Sequence, residues 1–266
     1  MKLERLCFNR ASSNLCFLNK NLQMRKSTLL LISIGLFFVL TSNQKEKQQN
    51  NRPNISAEAE MEKSPSNKKI GDVVILGNSI VVHPPAPEIG WNDDWGMAAS
   101  TRDSDFVHLL IRDIHEIDES INIRYASISM FESGFDTYDL DQLAEYKNAD
   151  MLILKISENV DPQTAIEKNF NFHYDKLVKY LAPADSTIKI IVDGFWPSPV
   201  NDIIKKYAIK NDYPFVTLPD LFQNDKTNAA IGLFEHEGVA NHPSDKGMKN
   251  IADRIWNKIE KYFTKD

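Results

Sequence analysis

Five short apolar runs constrain this chain more than any other feature. They are Asp72 to Leu76 (DVVIL), Ile121 to Ile128, Met151 to Ile156 (MLILKI), Ile188 to Val192 (IKIIV) and Phe215 to Leu218. The first is a short continuous apolar run with no water-facing side, so it reads as a strand buried on both faces, and the other four read as strands as well. The stretches between them read as helices. Asp105 to Ile117 puts Phe106, Leu109, Leu110, Ile114 and Ile117 on one face, and Leu140 to Tyr146 is a short helix. Pro162 to Leu181 reads as one long helix behind Asp161, and Pro199 to Ile209 as a helix capped by Ser198. Ser244 to Tyr262 closes the chain with Ile251, Ile255, Ile259 and Tyr262 along one stripe. Strands alternating with helices dictate βαβ units. The expected fold is α/β, a three-layer α/β/α sandwich around a five-stranded parallel sheet. Reactive groups in such sheets sit outside the carboxyl ends of the strands.

The folded domain is expected over residues 70–266. Ahead of it, Thr28 to Leu40 (TLLLISIGLFFVL) follows Arg25 and Lys26, the pattern of a secretory signal and too short for a bilayer span. Residues 1–42 therefore read as a signal segment, with Met24 an alternative start, and an uncleaved segment would act as a membrane tether. Residues 43–69, rich in Gln, Asn, Lys, Glu and Ser, read as a disordered linker. The chain carries 31 basic and 37 acidic residues, a net charge of −6. Without residues 1–42 the balance is 25 against 36, or −11. That argues against nucleic acid as a partner. The only cysteines, Cys7 and Cys16, precede the domain, which excludes disulfides, cysteine metal sites and a cysteine nucleophile within it.

The strand ends carry the chemistry. The first strand runs into Gly77-Asn78-Ser79, where a serine would be presented as a nucleophile. The second is followed by Phe131-Glu132-Ser133-Gly134, the third by Ser157-Glu158-Asn159, whose amide can donate to an oxyanion. Val239-Ala240-Asn241-His242-Pro243 precedes the last helix, and a histidine at that junction is a candidate general base.

In this order the four segments resemble the SGNH (GDSL-type) hydrolase superfamily. The resemblance implies a flavodoxin-like sheet and a serine esterase with Ser79 as nucleophile and His242 as base. It implies an oxyanion hole from Ser79, Gly134 and Asn159. Gly96 is a rival to Gly134. Asn78 stands where the family usually has Asp, Ser157 where it often has Gly, and Val160 where it often has Asp. Val239 stands where the family places the acid that orients the histidine. Glu237 or a main-chain carbonyl could take over that task, or the site could work as a Ser–His dyad.

Trp91 and Trp95 beyond the nucleophile and Trp196 after the fourth strand are expected to rim a substrate site. An aromatic rim on an acidic exported domain favours an acetyl ester on a carbohydrate over a lipid. An acyltransferase on the same fold and a non-catalytic carbohydrate-binding protein are the competing readings. His236, Glu237 and His242, with His83 and Glu88, lack the spacing of a zinc motif, so no metal and no cofactor is expected. His108, His115 and His173 fall on helices and read as structural or surface residues. The expected location is periplasmic or extracellular.

Overall fold

The structure is a computed structural model that describes residues 69–264. The signal segment, the alternative start and all but the last residue of the linker lie outside the described residues. Among the described residues no helix is long and apolar enough to cross a membrane.

Five strands form the sheet: β1 (Asp72–Gly77), β2 (Asn122–Ser127), β3 (Met151–Lys155), β4 (Ile188–Val192) and β5 (Phe215–Val216). All pair in parallel, in the order β2-β1-β3-β4-β5. That is the flavodoxin-like order, with its switch point between β1 and β3. The helices are α1 (Phe106–His115), α2 (Ser129–Gly134), α3 (Pro162–Glu167), α4 (Phe170–Leu181), α5 (Pro199–Lys210), α6 (Pro219–Asn224), α7 (Glu237–Ala240) and α8 (Asp245–Ile259).

Alternation along each strand divides the core in two. Val73, Ile75, Ile153 and Ile190 join α1 and α8 on one face. Val74, Leu76, Leu152, Leu154 and Ile191 join α4 and α5 on the other. A smaller third cluster holds Trp91, Met97, Ala98, Ala230 and Val239.

Several expectations need correcting. The long helix from Pro162 is two helices, because Asn169 adopts a left-handed conformation (φ 53°) that ends α3 and opens α4. Its N-cap is as expected, with the Asp161 carboxylate accepting from Thr164 N at 2.7 Å. The stretch after β2, read as a loop, coils into α2. Leu140–Tyr146 is a 3-10 helix, α8 stops at Ile259 before a 3-10 turn, and β5 keeps only two residues. Ile117 lies past the end of α1 and is 41% exposed.

Gly77 lets β1 and β3 approach at the point that positions the site. A Cβ there would lie 2.5 Å from the Lys155 carbonyl oxygen and 2.4 Å from Val81 Cγ2. One contact is backbone and cannot swing away. Gly77→Ala should therefore cost about 1–3 kcal/mol, the range for overpacking. Urea denaturation will check this; an unchanged midpoint would show that the strands can part at no cost.

Candidate active site

The turn after β1 is built by Asn78. Its carbonyl accepts from Val81 N (2.9 Å) and Val82 N (3.1 Å), and its Oδ1 accepts from Ile80 N (3.2 Å). Asn78 and Ile80 are fully buried, while Ser79 between them is half-buried. The bonds of this turn leave the Ser79 N–H uncommitted among the described residues.

His242 reaches Ser79 from the far end of the chain, with its Nε2 2.8 Å from Ser79 Oγ. Its Nδ1 lies 2.7 Å from the Gly238 carbonyl oxygen. A carbonyl can only accept, so the proton sits on Nδ1 and the Nε2 lone pair faces the serine. The single turn α7 supplies that carbonyl, and His242 N closes it by donating to Val239 O at 2.9 Å. Pro243 and the Ser244 cap then start α8. Trp196 stands edge-on to the imidazole, centroids 5.2 Å apart, and its Nε1 donates to Asn241 O at 3.1 Å.

His242 is 9% exposed, and burial is the main reason its pKa falls to about 4. The Gly238 bond and the Glu158 charge pull the other way; His83 and Lys155 reinforce the fall. A carbonyl dipole compensates an imidazolium less than a carboxylate would.

Beneath the serine lies a buried charged cluster that sequence reasoning missed. Glu132, on α2, is 1% exposed. Its Oε1 accepts from Ser157 N (2.7 Å) and Asn78 Nδ2 (3.2 Å), and its Oε2 from Asn159 Nδ2 (2.7 Å). Lys155, at the end of β3 and fully buried, pairs with the buried Glu158 carboxylate. Glu158 also accepts from Asn78 Nδ2 (2.7 Å) and Phe195 N (2.8 Å). Burial would raise Glu158, but Lys155 overrides it and the pKa is lowered. Glu132 has no such cation in contact; burial first, then the Glu158 charge, raise it to about 7. A lysine inside the apolar run MLILKI was the available signal, since a charge there needs a partner.

The cluster explains Asn78. Its amide donates to both Glu132 and Glu158, which an aspartate could not do.

Serine after β1 and histidine before the last helix thus meet at the carboxyl edge of a 2-1-3-4-5 sheet. The chain has a flavodoxin-like α/β fold. No protein-family model and no curated protein matches it. Among solved structures, it is similar to LAE5, an alpha/beta hydrolase enzyme from the metagenome of Lake Arreo, Spain. The identity is 15%, the TM-score 0.50, and the match covers 73% of this chain and 98% of that one. A GDSL-like lipase from Bacteroides ovatus ATCC 8483 matches at 12% identity and TM-score 0.48, over 73% of this chain and 100% of that one. A two-domain esterase active on acetylated mannans matches at 18% identity and TM-score 0.48, over 73% of this chain. The chain spans 50% of that esterase's length. At such identities the likeness concerns fold alone.

The structure gives several of the expected site residues other partners. Gly134 closes α2; its carbonyl accepts from Thr137 N, and a Cβ built on it would meet only Thr137 within 4 Å. Gly96 packs beside Ile80, but its N–H is taken by Asp105 at 3.1 Å. Glu237 is exposed on α7 and leaves Nδ1 to the Gly238 carbonyl. Trp91 is 1% exposed and anchors the third core cluster, so it is no rim. Trp95 is half-buried against it, edge-to-face at 6.0 Å, with Nε1 on Ala99 O. Of the three tryptophans, Trp196 alone is placed against His242. Asn159 is exposed at the surface of the cluster, held by Glu132. His108 is bound to the buried Asp105 carboxylate at 2.8 Å and to Tyr125 OH at 3.2 Å, a structural role. Among the described residues no cluster of His, Cys, Asp or Glu could hold a metal ion.

Two outcomes follow. His242 should titrate near pH 4 rather than near 6.5, remaining neutral above that value, which ring-carbon NMR shifts of labelled histidine will show. Asn78→Asp would set a third carboxylate against two buried ones. It should cost about 3–5 kcal/mol of stability, the scale of an uncompensated buried charge.

Proposed function

We propose that the protein is an exported serine esterase that removes a small acyl group, acetyl above all, from a carbohydrate. The observation that carries this reading is the 2.8 Å contact of Ser79 Oγ with a His242 Nε2 whose Nδ1 is fixed by Gly238 O. Fold alone would not carry it, since one fold hosts many activities.

In this reading Ser79 Oγ attacks the ester carbonyl and His242 Nε2 takes its proton. The imidazolium then protonates the leaving alkoxide, and an acyl-serine remains. Water enters by the same route and releases the acid. The oxyanion would be held by the Ser79 N–H and the Asn159 amide. A base with a pKa of about 4 is weak in the free enzyme. The nearby Glu158 charge, which favours the imidazolium, supports it as the proton moves.

A carbohydrate suits the half-exposed serine and the Trp196 wall beside it. Export rests on residues 28–40 behind Arg25 and Lys26, and the acidic balance fits a polar glycan better than nucleic acid.

The test is hydrolysis of a chromogenic acetyl ester by the full chain and by Ser79→Ala. Wild-type turnover should fall by at least about 10³-fold in the folded variant. Equal activity in both proteins would refute Ser79 as nucleophile. Turnover only when a sugar hydroxyl is supplied as acceptor would make the protein a transferase.

A further inference from the structure

We propose that Glu132 is a positioning residue, whose carboxylate fixes the Asn159 amide as an oxyanion donor. The proposal deepens the esterase reading and rests on it. Among the described residues every hydrogen-bonding contact of the Glu132 carboxylate is with a donor. Ser157 N, Asn78 Nδ2 and, at 3.5 Å, Asn159 N meet Oε1, and Asn159 Nδ2 meets Oε2. An amide has two chemically different ends of nearly the same shape, and its neighbour decides which faces inward. A carboxylate accepts only, so it holds the NH2 end of Asn159 toward itself. One N–H is spent on Oε2 and the other remains for a ligand. The same carboxylate grips Asn78, which builds the turn beneath Ser79. A single side chain on α2 thereby ties the ends of β1 and β3 together, where nucleophile and donor must keep register.

Glu132→Gln isolates this role because it preserves size. The glutamine NH2 would face the Asn159 NH2, and the clash of donors would turn the Asn159 carbonyl inward and its donors out. The acetyl-ester assay would be run on the full chain, Glu132→Gln, Asn159→Ala and the double variant, each checked for folding by circular dichroism. The expected result is a kcat about 10²–10³-fold lower in each single variant, with KM little changed. The double variant should be no slower than either single one. A purely structural Glu132 would give losses that multiply, and that result overturns the proposal. So does a Glu132→Gln protein with wild-type kcat.

A second measurement stands if the glutamine variant fails to fold. The charged groups facing Glu132 are Glu158 and Lys155, and burial with Glu158 raises it to about 7. Protonation removes an acceptor, so wild-type kcat should fall with pH around neutrality, well above the His242 titration. Asn159→Ala should lack that limb. A wild-type acid limb set by His242 alone overturns the proposal. An inactive wild type would defeat the esterase reading itself; an active one that needs Ser79 but ignores Glu132 defeats this inference alone.

Discussion

Burying Lys155 imposes the arrangement on which the rest of the site depends. A fully buried ammonium is tolerated only with a paired anion and satisfied hydrogen bonds. Glu158 supplies the anion, but it brings its own unfilled acceptors into the interior. Asn78 and the Phe195 N–H fill them, joining the turn after β1 and the loop after β4 to the end of β3. Glu132 completes the set from α2. Four separate segments are thus held by polar bonds at the carboxyl edge of the sheet, where apolar packing gives way to solvent and could not hold them as tightly.

Val239, where the sequence resemblance would place an acid, serves the core instead. Val239 is fully buried and contributes to the third core cluster. The same short helix turns the Gly238 carbonyl onto Nδ1, so orientation and tautomer are set by backbone. The backbone thus sets orientation, while burial depresses the His242 pKa and the Gly238 bond only partly offsets it.

The sheet was legible because strand periodicity and burial are local properties of the chain. Ser79 and His242 were legible because their places follow from topology: the end of the first strand and the start of the last helix. Glu132 was not. It lies five residues beyond β2 in a stretch without helical signal, and its partners come from the turn after β1 and from the loop after β3. Asn78 looked like a simple departure from a family pattern, since the two carboxylates that require it are distant in sequence. Gly134 failed for the complementary reason. The residue type suited a tight loop, but the chain spent that stretch on α2. Asn169 shows the same limit, as a left-handed asparagine inside an otherwise helical pattern leaves no periodic mark.

The third core cluster has a dynamic consequence. It packs Trp91, Met97 and Ala98, from the loop beyond Ser79, against Ala230 and Val239, from the segment that delivers His242. The two halves of the pair therefore share one small hydrophobic knot that is separate from both faces of the sheet. Small clusters under long loops open at lower free energy than the main core. Such an opening would part Ser79 from His242 while the five strands stay paired. The protein could then lose competence on warming before its helices melt, with amide exchange fastest in those two segments.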